Sequence, residues 1–147
     1  MIVIVGDHGA RVYGREDIPL RSYEIPFIVW NPRHVAPRRV DTLVSQLDVA
    51  PTVLGLLNLS YDSAFFGKDA LAPGPRWALL NHNRDIALFR GNTLAELGFR
   101  RTRATFAYDF ATNTQNRITD DAESMRDTAS VFQLAYSLFT ERRYGLE

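Results

Sequence analysis

Apolar residues recur along this chain in three rhythms, and each rhythm predicts a different kind of element. The first is continuous. Ile2-Val3-Ile4-Val5 places four β-branched residues in succession, and Ile25-Pro26-Phe27-Ile28-Val29-Trp30-Asn31-Pro32 is nearly all apolar between prolines. Neither run alternates, so neither reads as a strand with one wet face. Short continuous runs predict strands buried on both sides and paired in parallel, as at the centre of an α/β sheet. The second rhythm is helical. Val49, Val53, Leu56 and Leu57 follow i, i+4, i+7, i+8 spacing and predict a helix within residues 45–58 packed on that sheet. Asp48 serves as its N-cap, Pro51 falls in the tolerant first turn, and Asn58 ends it. Capping accounts for Asp48 without a catalytic role.

The third rhythm begins near residue 75, where short apolar segments alternate with turn residues. Trp77–Leu80 reads as a strand. Ile86–Arg90 and Thr93–Leu97 flank Gly91-Asn92, a tight two-residue hairpin, and Thr105–Phe110 is a further strand. Residues 77–110 therefore predict a small antiparallel sheet, and the polar stretch 111–119 reads as turn. Ala122, Met125, Ala129, Phe132, Tyr136 and Phe139 keep i, i+3/i+4 spacing and predict a last helix from about Asp121 to Arg143. Asp120 or Asp121 caps it, Arg142 and Arg143 suit its negative end, and Gly145 stops it. Phe132 and Phe139 fall on the stripe and are expected in the core. Residues 11–24, 33–40 and 59–75, rich in breakers or charge, read as loops. The fold class is α/β, with residues 1–75 supplying the core layer and residues 76–147 a small antiparallel sheet and closing helix of the same domain.

Composition narrows the function. At 147 residues the chain is one domain or a piece of a larger one, and 46% hydrophobic residues suffice for a core. Seventeen basic and 17 acidic residues cancel, which argues against nucleic acid as a partner. Cysteine is absent, so disulfides and thiolate metal sites are excluded. No signal peptide and no apolar run of about 18 residues is present. A central parallel strand needs neighbours joined by crossovers. A chain opening directly on such a strand is therefore expected to lack the upstream part of its domain.

The chemistry concentrates just after the first strand, in Gly6-Asp7-His8-Gly9. In open α/β sheets, sites form outside the carboxyl ends of the strands. Asp7 offers a hard oxygen and His8 a borderline nitrogen, a pair suited to zinc, manganese or iron. Neighbouring residues in an extended strand point to opposite faces, so both can reach one ion only if the chain turns. Gly6 and Gly9 permit that turn. The competing reading makes Asp7 a turn residue and His8 a loop histidine. Arg11 lies close enough to meet an anionic substrate, since guanidinium pairs bidentately with phosphate or sulfate; an exposed loop arginine is the alternative. Tyr13 and Arg15 carry weaker forms of the same suggestion. His82, between Asn81 and Asn83 just past a strand, is a further substrate-side candidate, whereas His34 reads as a solvated loop residue.

Three segments taken in order resemble the C-terminal part of the alkaline phosphatase superfamily. They are Val3-Ile4-Val5-Gly6-Asp7-His8-Gly9, Ile25–Pro32, and Ser45–Leu57. More narrowly, they are similar to the sulfatase and lipoteichoic-acid-synthase branch, which includes phosphoglycerol and phosphoethanolamine transferases. Gly67-Lys68-Asp69-Ala70-Leu71 is similar to a G-x-S-L element of that branch, and Gln133–Phe139 to its closing helix. The resemblance implies the C-terminal part of an alkaline-phosphatase-like α/β sandwich and a metal-dependent hydrolase or phosphotransferase acting on a sulfate or phosphate (di)ester, which can be lipid-linked. Asp7 and His8 would ligate one divalent ion, with manganese or zinc favoured and calcium or magnesium open. The nucleophile and remaining ligands would lie upstream, so this chain alone would be inactive. The parent protein would be anchored in the membrane with its catalytic domain in the cell envelope or periplasm. The alternative is a non-catalytic remnant or interaction module of the same fold.

Overall fold

The computed structural model describes residues 1–147 except 11–15, 17, 144, 146 and 147. Strand β1 (Ile2–Val5) pairs with β2 (Phe27–Trp30), and the pairing is antiparallel, not parallel, with Ile2 opposite Trp30 and Val5 opposite Phe27. Gly6 N donates to Pro26 O at 3.0 Å, which extends the ribbon to the start of the site turn. Continuous apolar runs predict two-sided burial but carry no information on strand direction. Burial is also lower than expected. Ile2 (53% exposed), Ile4 (53%), Ile28 (52%) and Trp30 (57%) share one face of the ribbon, and no described element covers it.

Helix α1 (Val49–Leu56) follows a 3₁₀ turn over Gln46–Asp48. Asp48 acts structurally, as the sequence suggests, but it caps the earlier turn. Its Oδ2 accepts from Ser45 N at 2.9 Å, while Ser45 Oγ accepts from Leu47 N at 3.2 Å. Its other oxygen accepts from Lys68 N at 2.7 Å and draws in the 67–70 loop. Thr52 Oγ1 accepts from Ala70 N at 2.8 Å and fastens the same loop to α1. The described bonds thus hold α1 to this loop; toward the ribbon, Gln46 Nε2 donates to Gly6 O at 3.3 Å. Asn58 ends the helix as expected. It sits at φ +53° and donates to Gly55 O at 2.9 Å, and Leu59 N reaches Leu54 O at 3.1 Å, the Schellman pattern.

A Cβ on Gly67 would overlap the Leu47 carbonyl and lie 2.8 Å from Asp48 N. Both are backbone atoms that cannot swing aside. Gly67→Ala is therefore expected to destabilise the protein by about 1–3 kcal/mol, the usual cost of forced overpacking. Thermal melting checks this, and an unchanged midpoint would mean the 67–70 loop is not seated on α1.

The second half is a five-stranded antiparallel meander in sequence order: β3 (Ala78–His82), β4 (Asp85–Arg90), β5 (Thr93–Leu97), β6 (Arg103–Asp109) and β7 (Thr114–Ile118). The Gly91-Asn92 hairpin joins Arg90 to Thr93 with Gly91 at φ +59°, as a two-residue turn requires. Strand β7 falls where the sequence reads as turn. Thr114-Gln115-Asn116-Arg117-Ile118 carries one apolar residue and forms an edge strand through backbone pairing with β6, so no apolar pattern marks it.

The sheet is buried on both faces. On one, Leu80, Ala87, Phe89, Leu94 and Tyr108 enclose Ile18, with Leu20, Tyr23 and Leu43 packed at the margin. Gln115 Nε2 donates to Ile18 O at 2.8 Å and seals that contact. On the other, α2 (Ala122–Thr140) lies across β4 and β5, and Thr128 Oγ1 donates to Ser124 O at 2.7 Å. The buried positions of α2 are Ser124, Met125 and Thr128. Of the expected stripe, Met125 is buried and Phe132 half-buried, but Tyr136 (71% exposed) and Phe139 (72%) point outward. Small hydroxyl residues let the helix approach the sheet closely with their polar atoms satisfied. An apolar periodicity count cannot register that choice. The helix also ends earlier than expected. Arg142, at φ +56°, takes the left-handed terminating position in place of Gly145, with Arg143 N bonded to Leu138 O at 2.8 Å.

Asp121 caps α2 by accepting from Glu123 N at 3.0 Å and from Ser124 Oγ at 2.6 Å. The bonds from Ser124 first, then that from Glu123, hold its carboxyl below the ordinary carboxylate range. A depressed pKa contributes stability above the unfolded value, near 3.9, and that contribution is lost as pH falls through the lower folded value. Asp121→Asn is therefore expected to melt below the parent at neutral pH, with the gap closing in acid. A gap that persists below the folded pKa would show that the charge is not its source.

Candidate metal centre

The Gly6–Gly9 turn brings Asp7 and His8 together at the end of β1. His8 N donates to Asp7 Oδ1 at 3.0 Å. The His8 ring turns its Nδ1 to Gly9 O at 2.9 Å. A carbonyl only accepts, so Nδ1 is the donor, and in a neutral imidazole that leaves the Nε2 lone pair open to a metal. Metal-ligating histidines are commonly oriented by such a bond to the second ring nitrogen. Nε2 stands 3.9 Å from Asp7 Oδ1. Two atoms each about 2.0–2.2 Å from a tetrahedral zinc ion lie about 3.3–3.6 Å apart, so this spacing is a few tenths of an ångström wider than a shared ion needs. Both side chains face solvent, His8 at 84% and Asp7 at 93% exposure. Their donor chemistry fits part of a divalent site. Among the described residues no group of three or more His, Asp or Glu side chains completes one.

Gly9 is needed for the approach of the next segment. A Cβ there would lie 2.7 Å from Glu24 O and closer still to Ser22 O. This places the 3₁₀ turn over Leu20–Tyr23 beside the Asp7-His8 turn. Tyr23 then bridges to the five-stranded sheet. Its hydroxyl donates to Asn81 O at 2.7 Å and accepts from His82 Nδ1 at 2.8 Å, since its single proton is committed to the carbonyl. Burial pushes the Tyr23 phenol above its ordinary value and keeps it a donor.

The structure thus joins Asp7 to His8, while the described contacts of His82 run to Tyr23 rather than to that pair. Arg11, Tyr13 and Arg15 lie outside the described residues. Gln46, whose side chain reaches the Gly6 carbonyl, and Tyr23, which ties the adjoining 3₁₀ turn to β3, carry no sequence signal: each is a single polar-capable residue outside any motif.

The fold is shared with a solved protein described as a member of the alkaline phosphatase superfamily. That protein, from Vibrio parahaemolyticus, matches with a TM-score of 0.86 at 22% identity, over 99% of this chain and 36% of the other. At that identity the likeness establishes the fold, and this chain spans about a third of that protein's length. More particularly, residues 1–59, which hold β1, the Asp7-His8 turn, β2 and α1, match the Sulfatase family model. No helix among the described residues is long and apolar enough to cross a membrane.

Proposed function

We propose that this chain supplies two ligands, Asp7 and His8, to the divalent metal site of a sulfatase-like hydrolase or phosphotransferase acting on sulfate or phosphate esters. The observation that carries this reading is the His8 ring, with Nδ1 turned to the Gly9 carbonyl and Nε2 3.9 Å from Asp7 Oδ1. It lies within the stretch that matches the Sulfatase model. Asp7 contributes negative charge to the ion, and the Gly9 carbonyl fixes the imidazole tautomer that can bind it. A bound zinc or manganese ion would supply Lewis-acid stabilisation of charge on the transferred group. The nucleophile and remaining ligands would come from polypeptide beyond this chain. Within this proposal the parent belongs to the lipoteichoic-acid-synthase-like branch, is membrane-anchored at the cell envelope, and uses a lipid-linked ester. The exposed Ile2, Ile4, Ile28 and Trp30 face favours a second reading, a non-catalytic interaction module.

Titration of the 147-residue chain with zinc and with manganese, followed by calorimetry, separates the two. Weak binding that disappears in Asp7→Ala and His8→Ala supports the metal-site reading. Identical heats from parent and double variant would refute it.

A further inference from the structure

At one end of the five-stranded sheet, the β3–β4 and β5–β6 turns together build an exposed aromatic surrounded by cations. Phe99 is 55% exposed, and the guanidinium of Arg84 lies 5.2 Å from its ring centroid and that of Arg100 5.7 Å. Arg84, Arg100 and Arg101 are exposed, and among the described residues none has a carboxylate within ion-pair distance. The neck of the loop is pinned. Asp85 Oδ1 accepts from Phe99 N at 3.1 Å, Gly98 N donates to Thr102 O at 2.9 Å, and Thr102 Oγ1 donates to Phe99 O at 3.0 Å. A Cβ on Gly98 would lie 2.6 Å from Asp85 Oδ1, so the two turns are in direct contact.

The tip is also strained. Arg100 at φ +59° and Arg101 at φ +64° are consecutive arginines in the left-handed region, where glycine would be at ease. Packing does not demand arginine here, since both side chains are in solvent. A costly backbone held in place by a well-bonded neck points to a function for what it displays.

We propose that this Phe99-centred tip is a docking surface for anionic lipid bilayers. Guanidinium groups pair bidentately with lipid phosphate, and an exposed aromatic among cations suits the headgroup boundary. The chain carries zero net charge, so the attraction is local to this patch. Nucleic acid fits less well, because guanidinium groups already lie over the ring on which a base would stack.

The test is co-sedimentation of the full chain with vesicles of phosphatidylcholine alone and with an equal mixture of phosphatidylcholine and phosphatidylglycerol. Preferential partition into the anionic vesicles, weakened by salt, is expected. The double variant Arg100→Gly, Arg101→Gly should lower that partition about twenty- to thirtyfold, at about 1 kcal/mol per cation. It should melt no lower than the parent, because glycine relieves both positive φ values. Arg84→Gln, which leaves the strained backbone untouched, should lower partition about fivefold. Equal partition into both vesicle types, or undiminished binding by these variants, would overturn the proposal. Tighter binding of a single-stranded oligonucleotide than of anionic vesicles, with the same arginine dependence, would overturn it in favour of nucleic acid.

Discussion

Leu94→Ala is expected to cost about 2–5 kcal/mol and to lower the melting midpoint by roughly 6–20 °C. Leu94 lies in the central strand β5 and is fully buried among Ile18, Leu80, Ala87, Phe89 and Tyr108. Its neighbours sit on a hydrogen-bonded sheet with α2 against the opposite face, so they cannot collapse into the space left behind. The cost therefore includes both lost transfer energy and an unfilled cavity. Folded domains are stable by only about 5–15 kcal/mol, so this one change would remove a large part of the total. Leu134→Ala provides the contrast. Leu134 lies on α2 but is 53% exposed, and its loss should fall within about 0.5 kcal/mol. Thermal or urea denaturation of both variants decides the matter. Equal stabilities would mean that the Ile18 cluster is not the core.

The second large effect concerns the candidate metal centre. Asp7→Ala and His8→Ala should each weaken zinc or manganese binding severely while leaving the melting midpoint without metal unchanged. The separation of the two effects follows from exposure: both side chains are largely in solvent and neither packs in the core. Altering even the partners that orient metal ligands typically costs 10–100-fold in affinity or activity, so loss of a ligand is expected to cost at least about 100-fold. In a polypeptide that also supplies the nucleophile and remaining ligands, hydrolysis of a chromogenic phosphodiester or sulfate ester should fall by at least about that factor. Full turnover by the double variant would end the proposal that these residues hold the ion.

Sequence alone determined the local elements wherever a residue's own chemistry dictates them. Gly91-Asn92 closes a hairpin, an aspartate at 120 or 121 starts the last helix, the structure choosing Asp121, and Asn58 ends α1 in the left-handed conformation, because glycine, aspartate and asparagine make those backbone states cheap in any context. It also located the Asp7-His8 turn between flanking glycines. Whatever depends on partners distant in the chain was decided by tertiary structure. The β1–β2 pair runs antiparallel because the chain returns that way, and an unbroken apolar run is silent on direction. Strand β7 exists because the β6 edge offers backbone partners to a polar segment. Met125 is buried and Phe139 exposed because Ser124 and Thr128 fit closely against the sheet, which no count of apolar residues weighs. Tyr23 reaches His82 across 59 positions of sequence, and Gln46 reaches Gly6 across 40, so these contacts arise only when the chain folds back on itself. Periodicity reports which type of element a segment forms; only the assembled fold determines which of its faces is covered and by what.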